Sequence, residues 1–301
     1  MSASVDSARP DALVAVSRRT RRRAGGTGKR EISLLPNYVV LSLLAIFAVG
    51  PLVVLGLNSL KSRAEAGRNP LGIPATFVWR NYPRAWDIGN FSTTTRNSGL
   101  LVMLTVAGVL LLGGMAAYSL AKLNLPGSGV LTLYLLVSSS LPIQLFLVPL
   151  FFLWKRLNLD DNLGGLALIY IATNAPFAIF LLRSYMVQLP KDFEDAARVD
   201  GANEWQVFAR VVVPLSWPGF LTAGLVVALA VWNEFLLATI FLSDPGHFTV
   251  VTSYYNFTTQ FSRDWGLTSA AAVMMILPVI VIFLSLQRRF IDGLTQGGLK
   301  G

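Results

Sequence analysis

Six apolar runs, each long enough to cross a bilayer, constrain this chain more than any other feature. They lie at about residues 34–57, 97–120, 130–154, 163–186, 217–242 and 266–287. At about 1.5 Å of rise per helical residue, each can span the ~30 Å of a hydrocarbon core. Lipid offers a backbone amide no hydrogen-bond partner, so such runs have to be helices, which satisfy their own amides. The pattern predicts an all-α membrane protein with six transmembrane helices and both termini on one side. A composition that is 53% hydrophobic and 14% charged agrees with it.

The residue types that are missing narrow the chemistry. There is no cysteine and a single histidine, His247, so thiolate nucleophiles, Cys-ligated metals and multi-histidine metal sites are excluded. An intramembrane hydrolase would want paired carboxylates within the spans, and none are paired there. His247 lies in an external DPGHF turn and alone supports no metal. The net charge of +9 does not imply nucleic acid, because the basic residues flank apolar spans and lack an interleaved aromatic face. They suit orientation in a membrane with an anionic inner leaflet.

Residues 1–33 carry eight Lys or Arg and almost no apolar periodicity, which predicts a disordered basic tail. Within it GGTGKR imitates a phosphate-binding loop but has Arg23 where the first Gly belongs and Arg30 where Ser or Thr would hold magnesium. No nucleotide site, and hence no bound cofactor, is expected on this chain. A cleaved signal peptide is not expected either. The domain reading is a tail over 1–33, a six-helix domain over 34–290 and a second tail over 291–301. Placing the termini in the cytoplasm leaves sixteen Lys and Arg inside and nine outside. In the external loop over residues 58–96, Trp79, Tyr82 and Trp86 read as membrane-interface anchors.

Residues 190–215, PKDFEDAARVDGANEWQVFARVVVPL, form a long polar segment between two apolar ones. Pro190 and the acids Asp192, Glu194 and Asp195 suit a helix start, and Gly201 suits a stop. Asn203 with Gln206 three residues on makes a capping box for a second helix running towards Pro214. On the first helix Phe193, Ala196, Ala197 and Asp200 share a face, while Glu194 and Arg198 are spaced to pair at i, i+4. Read residue by residue, this is an amphipathic connector on a membrane surface.

Polar residues inside the spans suggest a pathway: Ser138 to Ser140, Gln144, Asn174, and Trp232, Asn233 and Glu234 together. Prolines 142, 149, 176 and 278 interrupt spans, which is tolerated where a helix lines protein or a watery cavity. Glu234 reads either as a buried hydrogen-bonding or ion-pairing group, or as a substrate-path anchor with Trp232 stacking and Asn233 donating to hydroxyls.

Taken as a string, residues 194–215 resemble the EAA loop of permease subunits of bacterial ATP-binding cassette importers. Glu194, Ala196, Ala197, Asp200-Gly201-Ala202 and Val213-Pro214-Leu215 carry the likeness; Asp195 replaces the first alanine of the triplet. Asn97-Ser98, Ala116-Ala117-Tyr118, Pro176-Phe177-Ala178, Arg183, Trp232-Asn233-Glu234-Phe235, Gln287-Arg288-Arg289-Phe290 and Gly293-Leu294-Thr295 narrow it to the sugar-importing branch. Together they resemble the shorter permease of a maltose-type di- or oligosaccharide importer. The resemblance implies a second homologous permease, two ATPase subunits holding ATP and Mg, an extracytoplasmic sugar-binding protein and a bacterial cytoplasmic membrane. It implies that residues 194–201 form a coupling helix docked on an ATPase, and that a flexible tail with Gly293, Gly297 and Gly298 approaches the ATPase dimer. The alternatives are a proton-coupled secondary transporter using Glu234, or an importer permease for another solute.

Overall fold

The computed structural model describes residues 35–298, with side chains over 37–285; the basic tail over 1–33 lies outside them. Every regular element among the described residues is helical. In chain order they are α1 (Leu35–Ser59), α2 (Arg63–Arg68), α3 (Asn81–Ile88), α4 (Phe91–Lys122), α5 (Ser128–Ser140), α6 (Ile143–Arg156) and α7 (Leu163–Val187). There follow α8 (Asp192–Val199), α9 (Glu204–Leu215), α10 (Trp217–Trp232), α11 (Leu236–Phe241), α12 (Val250–Gln260) and α13 (Trp265–Gly298). By compactness the chain divides at Gly50, and the core and site described below belong to residues 51–298.

Stretches of α1, α4, α7 and α13 are apolar and long enough to cross a membrane unbroken. Two further apolar stretches are bent: α5 meets α6 at 88°, and α9 meets α10 at 80°. Counting each bent pair as one span gives six. The third apolar run is thus not one helix. Pro142 sits extended at the break, where it has no N–H to donate to a continuing helix. Pro149 falls in the first turn of the α-helical part of α6, where a missing N–H costs nothing. Pro176 and Pro278 lie inside continuous helices.

The fifth run departs from expectation too, and without a proline. α10 ends at Trp232 after 16 residues, about 24 Å, short of the bilayer core. Residues 233–235 leave the helix, and α11 resumes it. The C-terminal tail differs as well: the backbone stays helical through Gly298 rather than loosening at Gly293, Gly297 and Gly298. Each glycine costs a helix only about 1 kcal/mol, while extending an existing helix adds a hydrogen bond per residue with no new nucleus.

The main core joins α4, α7, α9, α10 and α11 through side chains such as Val109, Tyr170, Leu182, Val212 and Phe241. A second cluster gathers Phe91, Trp232, Val250, Phe257 and Leu267. Small residues let these helices close: at Gly114 and Gly219 an added Cβ would meet Phe220 at 2.9 Å and Tyr185 at 2.8 Å. By contrast α5 and α6 bury no side chain, exposing Tyr134, Leu145, Val148 and Phe152. Such faces suit lipid or another membrane subunit.

Candidate functional site

The 190–215 segment forms a helix, a glycine turn and a second helix. α8 begins at Asp192 with Asp192, Glu194 and Asp195 in its first turn. Gly201 has φ +86°, a left-handed conformation that glycine adopts without steric cost, and it turns the chain. Asn203 then accepts from the Gln206 backbone N–H at 2.9 Å while its own N–H donates to Gln206 Oε1 at 2.9 Å. That capping box starts α9, which passes through a π-turn at Phe208–Val212.

One side of this knob is bolted down. Glu194 is buried, and its Oε1 lies 2.8 Å from Lys122 Nζ at the end of α4. Lys122 also donates to the Leu189 carbonyl at 2.7 Å, and Arg183 donates to the Leu120 carbonyl at 3.2 Å. Arg198 is the hub across the turn: it reaches Glu204 at 2.9 Å, Asp195 at 3.0 Å and Glu194 at 3.5 Å. Tyr118 of α4 donates to Glu204 at 2.6 Å. Hydrogen bonding to Glu204 raises the Arg198 pKa; the Arg198 and Tyr118 bonds hold the Glu204 carboxyl below its usual range. Glu194 is therefore no solvated face residue.

The other side is open. Phe193, Val199 and Trp205 are 53%, 88% and 55% exposed, and Ala196 is exposed between them. Ala197, Asp200 and Gly201 line a shallow recess with Ala202, Gln206 and Arg210. Large apolar side chains held out by a rigid polar base suit a protein partner.

The polar residues of the spans divide. Asn174 and Glu234 share a groove of about 200 Å³ with Ile143, Tyr170, Thr173 and Ala230. Gln144, Trp232 and Asn233 do not line it. Gln144 is exposed on the turn opening α6. Trp232 is buried in the second cluster, with its indole N–H on the Met275 carbonyl at 3.3 Å. Exposed Asn233 donates to the Leu229 carbonyl at 2.8 Å. Glu234 accepts three bonds: from Tyr170 Oη at 2.5 Å, the Leu237 N–H at 2.8 Å and the Ala238 N–H at 3.0 Å. Its carboxylate caps α11 and ties it to α7. The hydroxyls of Ser138 to Ser140 bond carbonyls of their own helix.

Two features escaped the sequence reading. Lys61 is fully buried, donating to Asn58 Oδ1 at 2.9 Å and to the Asn69 and Pro70 carbonyls at 2.8 and 3.1 Å. His247 lies 3.3 Å from Asp161, which accepts from the Ser243 and Asp244 N–H groups at 2.9 and 3.0 Å. Burial would raise the Asp161 pKa, but those backbone bonds and His247 lower it on balance. A Gly or Asn after Asp161 signals only a turn, so neither pairing was visible locally.

Residues 109–296 match the family described as "binding-protein-dependent transport system inner membrane component". The chain belongs to that family. This permease is 34% identical to the trehalose transport system permease protein SugB of Mycobacterium tuberculosis, over 89% of this chain and 95% of that one. It is 31% identical to the diacetylchitobiose uptake system permease protein NgcG of Streptomyces coelicolor, over 92% of both chains. Among solved structures, a bacterial ABC transporter that imports the acidic polysaccharide alginate has the same fold. There the TM-score is 0.73 at 24% identity, over 95% of the permease and all of that chain. The match takes in both the knob and Glu234 and, with the apolar helices, makes this a multi-pass membrane protein.

Proposed function

We propose that this chain is the shorter permease subunit of an ATP-driven importer of a di- or oligosaccharide, forming half of the path through the membrane. The observation that carries the reading is the knob: an apolar face of Phe193, Ala196 and Val199 presented outward on a base fixed by Lys122, Glu194 and Arg198. A partner seated on that face moves α4 and α10 with it. The relatives named for trehalose and diacetylchitobiose support the sugar class. A solved bacterial alginate transporter, similar in fold and held in complex with a pentasaccharide-bound periplasmic protein, supports an extracytoplasmic binding protein as partner.

In this reading the chain catalyses nothing. Two ATPase subunits hold ATP and Mg, a second homologous permease completes the path, and both termini lie in the cytoplasm. ATP binding draws the ATPases together, the knobs follow, and the spans shift between inward- and outward-open states, each stabilised by a different ligand state. Sugar from the binding protein enters the outward-open cavity. In this reading Glu234, with three donors on its carboxylate, holds α11 against α7.

The test is Gly201→Trp. Space around Gly201 is open, so a bulky side chain leaves the fold's packing alone while straining the left-handed turn and blocking the recess. Co-purified ATPase and sugar uptake should both be lost. Retention of both by the variant sinks the reading.

A further inference from the structure

α4 runs 32 residues from Phe91 to Lys122, about 48 Å of rise, so its start lies a bilayer's thickness from the knob that Lys122 holds. In the permease reading that start is the outer end. Three segments are pinned together around it. Asn97 donates to the Gly246 and Phe248 carbonyls at 2.8 and 3.1 Å, and the Val250 N–H donates to Ser98 Oγ at 2.9 Å. Ser253 of α12 donates to the Gly89 carbonyl, in the turn between α3 and α4, at 2.5 Å. Asn97, Ser98 and Ser253 are buried, so these bonds fix the walls rather than meet solvent. Between the walls lies an outer groove of about 380 Å³, within the roughly 300–1,000 Å³ range of small-ligand clefts.

The lining of this groove has a chemical bias. None of the residues that line it is charged. Its hydroxyls, on Thr94, Ser253 and Thr259, are committed to backbone carbonyls. Its three amides, on Asn90, Asn256 and Gln260, make no hydrogen bond among the described residues. Each amide sets two N–H donors beside a carbonyl acceptor, which suits sugar hydroxyls that both donate and accept. Phe248 and Phe257 line the same groove and offer apolar surface to the C–H face of a sugar ring. A carboxylate entering it would shed water and meet no cation. We propose that the outer groove is a subsite for a neutral saccharide, held by Asn90, Asn256 and Gln260, that favours uncharged sugars over uronates. This rests on the permease reading above, which brings saccharide to that face. The buried Asn97 and Ser98 then serve sugar only by bracing the groove's walls.

The chain has no cysteine, so Thr259→Cys places a single thiol in the groove. The Thr259 hydroxyl bonds only a carbonyl of its own helix, which leaves the walls and the amides as they are. Maleimide labelling of the full chain in nanodiscs is followed with trehalose, maltotriose and cellotriose, and with the anionic trigalacturonate. At about 10 mM sugar a site with a Kd of about 1 mM is roughly nine-tenths filled, so at least one neutral sugar should slow labelling about tenfold. Trigalacturonate should leave the rate unchanged. Adding Asn256→Leu and Gln260→Met, close in shape but without amides, should abolish the protection while the sugar-free rate stays the same. The proposal is overturned by a lack of protection from every neutral sugar, by equal protection from trigalacturonate, or by protection that survives the loss of both amides. Labelling needs no ATP. Protection in a chain that recruits no ATPase and imports nothing defeats the permease reading alone, and an importing chain whose Thr259→Cys variant goes unprotected defeats the subsite alone.

Discussion

Lys122 Nζ sits 2.8 Å from Glu194 Oε1, with side chains only 3% and 4% exposed, so the loop that faces the cytoplasm in our reading is held from within by a buried ion pair. The pair joins the end of α4 to the first turn of α8. It turns Glu194 inward and leaves Phe193 and Val199 as the outward face.

Removing one partner strands a buried charge, which costs about 3–5 kcal/mol, whereas replacing both with apolar groups of similar volume is often neutral. Lys122→Met should lower the thermal midpoint of the purified permease strongly, and Lys122→Met with Glu194→Met should restore most of it. Circular dichroism melting in detergent reads both. A single variant that melts with the wild type would show that the pair is not closed in the membrane-embedded protein.

The turn between α8 and α9 should be acid-sensitive. Arg198 and Tyr118 hold the Glu204 carboxyl below its ordinary value of 4.5 when folded. A depressed folded value means the stabilisation is complete above the unfolded pKa and fades as pH falls through the folded one. Hydrogen exchange of residues 192–207 should therefore accelerate below about pH 4.5, and Glu204→Gln should flatten that limb. An unchanged pH profile in Glu204→Gln would assign the acid sensitivity to other carboxylates.

What was legible in the chain was what is local or set by the bilayer. The apolar runs could be read because membrane thickness fixes their length, and the Asn203–Gln206 capping box because its partners are three residues apart. Gly201 was legible as a stop because few other residues take φ +86° cheaply. Long-range pairings were not legible: Tyr170 and Glu234 are 64 positions apart, and Tyr118 and Glu204 are 86 apart. The break at residues 233–235 hid because a carboxylate, not a proline, ends α10. Its one local sign is an acid immediately before a resumed apolar helix, the position where a carboxylate suits a helix N-terminus.

Lys61 presents a buried cation with three neutral oxygens and no carboxylate around it. Hydrogen bonds to a charged group are worth about 1.5–3 kcal/mol each, and leaving the Asn69 and Pro70 carbonyls unpaired adds a penalty. Lys61→Met should loosen residues 58–75, seen as faster proteolysis of that loop, with hydrogen exchange of the knob over residues 192–207 unchanged. Lys61→Arg should not rescue it, because the planar guanidinium cannot fill an ammonium-sized site. Equal protease resistance in wild type and Lys61→Met would show that the loop is held by Tyr82 on Ser59 and by Asn81 instead.

Gly165 tests how tightly the turn before α7 is seated. A Cβ there would fall 2.1 Å from the Leu159 carbonyl oxygen, which is backbone and cannot swing aside. The Gly165 carbonyl also takes the Trp154 indole N–H at 3.0 Å, and its amide is capped by Asn162. Gly165→Ala should cost roughly 1–3 kcal/mol as overpacking, read as a lowered melting midpoint. Gly129→Ala is the control: nothing lies within 4 Å of its added Cβ in α5, so it should gain roughly 0.5–1 kcal/mol from helix propensity. Since the displaced turn carries Asp161, the same Gly165→Ala variant should also speed exchange at the Ser243 and Asp244 amides. Equal midpoints for the two glycine variants would mean that the turn over residues 157–162 yields freely and is not seated against Gly165.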